Sequence, residues 1–211
     1  MSRLSHRRAS LALADLDPTM AALVARHGPM RVPPPPPVVG RFENLAESIA
    51  YQQLAGRAAA TIWGRFRALF APGPLDPLAV LAADPADLRA AGLSGAKAAA
   101  ILDLARHVAD GTLELDRLGR LDDDRVEAQL TQVRGIGPWT ADMFLIFALG
   151  RLDVWPTGDY GVRAGYGIAF GLAEPPTAGE LAERGDAFRP YRSVAAWYCW
   201  RALESAPRAA T

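Results

Sequence analysis

Apolar residues along this chain recur at spacings of three and four far more often than at two, and turn signals interrupt them every ten to twenty residues or so. That pattern predicts an all-α fold of roughly ten helices. In "DPTMAALVARHG" an Asp precedes a Pro at a first-turn position and a Gly closes the segment, marking a helix start and stop. The run Pro33 to Pro37 then forbids helix or central strand and predicts an extended polyproline connector. Beyond it, "FENLAESIAYQQLAGRAAATIWGRFRALF" reads as two helices broken near Gly56, with Phe42, Leu45, Ile49, Ile62, Trp63, Phe66 and Leu69 at core spacing. "DPLAVLAAD" and "DPADLRAAGLS" predict short capped helical turns, and "SGAKAAAILDLARHVADG" a longer helix ending at Gly111. "DDDRVEAQL" opens a helix with acids where the macrodipole favours them, and this helix is expected to end near Val133. "DYGVRAGYGIAFG", "TAGELAERGDAF" and "YRSVAAWYCWRALES" complete the array, with no internal repeat.

Composition narrows the function classes only a little. The 211 residues, half of them apolar, suffice for one large helical domain or two small lobes. Formal net charge is zero, so any nucleic-acid surface must be a local patch. A single cysteine, Cys199, excludes an intramolecular disulfide and a cysteine-ligated iron–sulfur cluster. The basic start "MSRLSHRRASLALADLDP" has an apolar run too short and too acidic for a signal sequence, and no stretch reaches membrane-spanning length, so a cytoplasmic protein is expected. His6, His27 and His107 lack metal-ligand spacing.

The segment "LTQVRGIGPWTADMFLIFALGRLDVWPTGDY" concentrates the candidate chemistry. Gly135 and Gly137 permit close backbone approach, Pro138 suits a first helical position, and the next helix begins there, so their N–H groups can converge on one phosphate. An ordinary connection between helices would carry the same glycines. Asp159 has two readings as well: after Gly158 and before "YGVRAGYG" it suits a helix N-cap, and it can equally project a carboxylate into a cleft.

The fuller pattern "VRGIGPWTADMF", followed by "VWPTGDYGVR", resembles the helix–hairpin–helix DNA glycosylase superfamily. "ESIAYQQLAGRAAATIWGRF", "GLSGAKAAAILDLA" and "FRPYRSVAAWYCW" are similar to segments of its 3-methyladenine DNA glycosylase II branch, so that the likeness runs from about residue 40 to 205. It implies a two-lobed helical array, residues 1–39 being an N-terminal helix and Pro-rich connector and 40–211 a helical core with its active site between the lobes. Gly135, Gly137, Thr140 and Arg163 would contact duplex DNA, and Gln53 or Leu54 would fill the gap left by a flipped nucleotide. Tyr51, Trp139, Met143 and Trp200 would line the base pocket, although Met143 stands where a relative carries an aromatic. Carbonyls of Thr131, Val133 and Ile136 would hold a bridging Na⁺ or K⁺, no other cofactor being expected.

In this resemblance Asp159 is the catalytic carboxylate, stabilising the positive charge that develops on the sugar as the base departs. Bifunctional members use a Lys just after the hairpin to form a Schiff base. Pro138 and Trp139 occupy that place here, so a monofunctional hydrolase is expected, acting as a monomer on alkylated purines in DNA during base excision repair. Such purines are cationic, and an aromatic face favours a desolvated cation by about 0.5–2 kcal/mol. Trp63 and Trp197 are expected in the core, Cys199 as a buried helix residue, and Arg192 as a phosphate contact or a brace. A non-catalytic damage-recognition protein, or a glycosylase for other lesions, remains the alternative.

Overall fold

The computed structural model describes residues 6–206; the first five residues of the basic start, part of the segment weighed as a signal sequence, lie outside them. Among the described residues there are twelve α-helices and no strand. They are α1 (His6–Leu16), α2 (Pro18–His27), α3 (Arg41–Tyr51), α4 (Gly56–Ala68), α5 (Pro77–Ala82), α6 (Pro85–Ala90) and α7 (Gly95–Ala109). After these come α8 (Asp123–Leu130), α9 (Pro138–Met143), α10 (Tyr160–Ala169), α11 (Ala178–Arg184) and α12 (Arg192–Ser205). Local chemistry explains most of the starts. Asp17, Asp76, Asp84, Ser94, Asp122, Asp159 and Thr177 each cap a helix through a side-chain oxygen that accepts a backbone N–H. Thr177 and Glu180 form a reciprocal capping box.

The chain folds as two compact units, one from residues up to Pro34 together with those from Gly150 onward, the other from Pro35 to Leu149. This grouping differs from the expected division at residue 39. The reason is the packing of α1 and α2: Leu13 and Met20 are buried in one core with Val162, Tyr166, Val194 and Tyr198 of α10 and α12. The Tyr198 hydroxyl also donates to the Gly28 carbonyl at 2.9 Å. The polyproline run carries the boundary, and Pro37 has the φ of −60° and ψ of 160° of an extended connector.

In the unit from Pro35 to Leu149, Phe42, Leu45, Ile49 and Phe66 are buried as their spacing predicts. Leu69 is a correction, being 46% exposed, because α4 ends at Ala68 and Leu69 lies just past it, beyond the buried Phe66. Helix α8 likewise stops at Leu130 rather than near Val133, the intervening residues forming turns in which Val133 N–H donates to the Leu130 carbonyl. Helix α9 does not end in a regular way. It runs on through Phe144–Ala148 in wider turns, with Leu149 N–H donating to the Phe144 carbonyl five residues back at 3.0 Å.

Candidate functional site

In the unit from Pro35 to Leu149, α8 and α9 are joined by the Gly-Ile-Gly turn. Gly135 has φ of +79°, which favours glycine, and a Cβ there would meet the Ala100 methyl at 3.1 Å. The turn is held from both sides. Asp103 of α7 accepts the Arg134 N–H at 2.9 Å, and the Gln52 side-chain amide donates to the Gly135 carbonyl at 2.9 Å. Gly137 caps α9 without a side-chain bond. Among the described residues no protein acceptor takes the N–H of Gly135 or of Gly137. Two backbone donors at a helix start are therefore open to an anion.

A cavity of about 570 Å³ lies in the same unit, lined by α3, the loop after it, and the α9 segment. Its walls follow helical period: Glu47, Ser48 and Tyr51 on α3, and Trp139, Thr140, Met143 and Phe147 on the other side. Trp139 is 47% exposed, whereas Thr140 is buried. The α3 end is fixed by Lys97, whose Nζ donates to the carbonyls of Ala50 and Gln52 at 2.8 and 2.7 Å. Gln53, next in the chain, has φ of +57°, a conformation costly for a residue with a side chain and common where loops present groups for function. It lines the cavity, while Leu54 is an exposed neighbour that does not.

The structure thus brings Tyr51, Gln53, Trp139, Thr140 and Met143 to one cavity. Sequence reasoning missed Glu47, Ser48, Gln52 and Phe147. The four-residue spacings from Glu47 to Tyr51 and from Met143 to Phe147 were the available signal.

In the other unit, Asp159 stands at the start of α10. Its Oδ1 accepts the Val162 N–H at 2.7 Å and the Trp200 indole N–H at 2.9 Å. The capping reading is thus realised, and the same bonds fix the carboxylate's orientation. Gly161 makes this possible, since a Cβ there would lie 2.9 Å from Trp200 Cδ1 and 3.0 Å from Asp159 Oδ1. Trp200, expected as a pocket wall, is in this unit a hydrogen-bond donor to the carboxylate.

Arg163 places its guanidinium 5.7 Å from the Tyr160 ring centroid and donates to the Pro176 carbonyl at 3.4 Å. Arg192 is a brace: it pairs with Asp153 at 2.8 Å and donates to the Asp153 carbonyl at 2.7 Å. Trp63 stacks on Phe66 and Trp197 packs edge-on against Tyr198, both half-buried rather than fully in the core. Cys199 is buried, which raises its thiol pKa and leaves it inert. Among the described residues no group of three or more His, Cys, Asp or Glu could hold a metal. The carbonyls of Thr131, Val133 and Ile136 are hard oxygen donors of the type an alkali cation takes; that of Val133 accepts the Ile136 N–H at 3.1 Å and keeps a second lone pair. No described helix is long and apolar enough to cross a membrane.

Taken unit by unit, these features define a helix–hairpin–helix protein with an aromatic-lined cavity and a helix-capping carboxylate. The chain belongs to the HhH-GPD superfamily of base excision DNA repair proteins, whose description matches residues 46–190. It is 33% identical over 162 residues to DNA-3-methyladenine glycosylase 1 of Schizosaccharomyces pombe, covering 76% of this chain and 71% of that protein. The 3-methyladenine DNA glycosylase of that organism, solved in complex with abasic DNA, superposes with a TM-score of 0.83 at 32% identity, covering 92% of this chain and 95% of that one. A DNA-3-methyladenine glycosidase from Bacillus halodurans gives a TM-score of 0.84 at 32% identity over 93% and 89% of the two chains. The resemblance read from the sequence is borne out.

Proposed function

We propose that this protein is a monofunctional DNA glycosylase that extrudes N-alkylated purines from duplex DNA and hydrolyses their glycosidic bond, initiating base excision repair. The observation that carries it is Asp159, a carboxylate oriented by Val162 and Trp200, in a chain whose relatives are named 3-methyladenine glycosylases. The open N–H groups of Gly135 and Gly137 bind a backbone phosphate, Gln53 or Leu54 occupies the vacated stack, and the aromatic cavity takes the base. The carboxylate stabilises the sugar cation and orients water. A cationic base leaves without a proton, in keeping with the lack of any histidine among the cavity residues.

Hydrolysis without strand cleavage is supported by the amine inventory. Lys97 is the sole lysine in the sequence, and its Nζ is bound to two backbone carbonyls. Incubation with globally methylated DNA is expected to release 3-methyladenine and 7-methylguanine, identified chromatographically, and to leave abasic sites that break only after alkali. No covalent adduct is expected on borohydride reduction. Release of no methylated base refutes the glycosylase reading, and a trapped adduct refutes its monofunctional character.

A Na⁺ or K⁺ held by the carbonyls of Thr131, Val133 and Ile136 would add a positive charge beside the hairpin amides. Replacing K⁺ by tetramethylammonium at constant ionic strength is then expected to weaken DNA binding; unchanged affinity rules the cation out.

A further inference from the structure

The cavity in the unit from Pro35 to Leu149 contains a carboxylate that the proposed chemistry does not use. Glu47 stands one helical turn before Tyr51 and shares the cavity with Trp139, Met143 and Phe147. It is half-buried, and among the described residues no cation or N–H pairs with it. Arg67 serves the preceding turn instead, its Nε bonding Glu43 at 2.6 Å and its Nη2 the Gly73 carbonyl at 2.8 Å. Glu43, one turn before Glu47, is satisfied by Arg67 and by the Leu75 N–H at 3.3 Å. Glu47 therefore bears both desolvation and a like charge, and both raise its carboxyl pKa. An unpaired carboxylate among aromatic rings destabilises the free protein, and a cationic occupant would relieve that cost.

We propose that Glu47 is a specificity-determining residue of the base cavity, its carboxylate pairing with the positive charge of an N-alkylated purine whose ring lies against Trp139. This rests on the glycosylase reading for its substrate but adds a residue to it. Aromatic faces attract any stacked base and cations somewhat more. A carboxylate instead separates cation from neutral base sharply, since charge-assisted bonds are about twice as strong as neutral ones.

Two arms of one experiment test this, with Glu47→Gln preserving size and hydrogen bonding. In single-turnover release, the variant is expected to lose roughly tenfold on 7-methylguanine with little change on neutral hypoxanthine. Equal losses on both overturn the proposal, as does a larger loss on hypoxanthine, which would make Glu47 a proton donor. The second arm needs no catalysis: binding of cationic 1-methyladenosine against adenosine, followed by tryptophan fluorescence. Wild type is expected to prefer the cation and Glu47→Gln to lose that preference; absence of a preference in wild type overturns the proposal. If neither protein releases a base yet the preference is present and lost as stated, the glycosylase reading fails and the role of Glu47 stands. The variant's melting temperature is expected to be unchanged or higher, whereas a merely structural Glu47 would lower it.

Discussion

Asp159→Asn is expected to slow base release by about 10²–10³-fold while changing stability by no more than a few tenths of a kcal/mol. The two effects separate because the carboxylate has two duties. As a cap, Asp159 uses one oxygen, Oδ1, to accept from Val162 and Trp200. An Asn carbonyl oxygen can accept both bonds, and Asn ranks with Asp as an N-cap. What the amide cannot supply is negative charge. Loss of the glycosidic bond leaves positive charge on the sugar, and an oriented carboxylate stabilises it at little reorganisation cost. Asp159→Ala removes cap and charge together, so it is expected to cost about 1 kcal/mol of stability in addition to the rate. Single-turnover release paired with thermal melting reads both. Full activity in Asp159→Asn would leave only the capping role, and a large loss of stability in the same variant would show that the geometry depends on charge rather than on hydrogen-bond acceptance.

The difference between these duties also marks what could be read from the sequence. Caps are local: Asp76 with Pro77, Asp84 with Pro85, and Ser94 ahead of an alanine-rich run announce their helices within four residues, and each occurs as read. The hairpin was legible because tight turns require glycine and proline at fixed places, as the positive φ of Gly135 shows. Leu69 was misread for a related reason, since periodicity says which face is apolar but not where the helix stops. Contacts across the chain were less accessible. The Trp200 bond to Asp159 joins residues 41 positions apart, and the bonds of Lys97 to Ala50 and Gln52 join residues 47 and 45 apart. Tyr51, Trp139 and Met143 could be nominated because the resemblance supplied their positions, whereas nothing local in the sequence distinguishes Glu47 from a solvated helix acid. The left-handed backbone of Gln53 had no signal at all, because glutamine rarely adopts it.

Gly165 illustrates the same limit and carries the second large effect. By helix propensity alone a glycine inside α10 costs about 1 kcal/mol relative to Ala. Packing decides otherwise. A Cβ at Gly165 would overlap the backbone carbonyl of Cys199, so α10 and α12 meet at this point with no room for a methyl group. Backbone cannot rotate away as a side-chain tip can. Gly161, one turn earlier on the same face, admits the Trp200 ring, so the close crossing also brings the indole N–H to Asp159. Gly165→Ala is therefore expected to destabilise the protein by about 3 kcal/mol or more, the upper range for overpacking. That lowers the melting temperature by roughly 6 °C or more in a chain of this size. Gly64→Ala supplies the control, since that glycine lies inside α4 and a Cβ added to it would meet nothing within 4 Å. There the same substitution is expected to stabilise by roughly 0.5–1 kcal/mol. If the two substitutions changed the melting temperature in the same direction, the α10–α12 crossing would not be as close as the geometry requires, and the bond between Trp200 and Asp159 would lose its structural support.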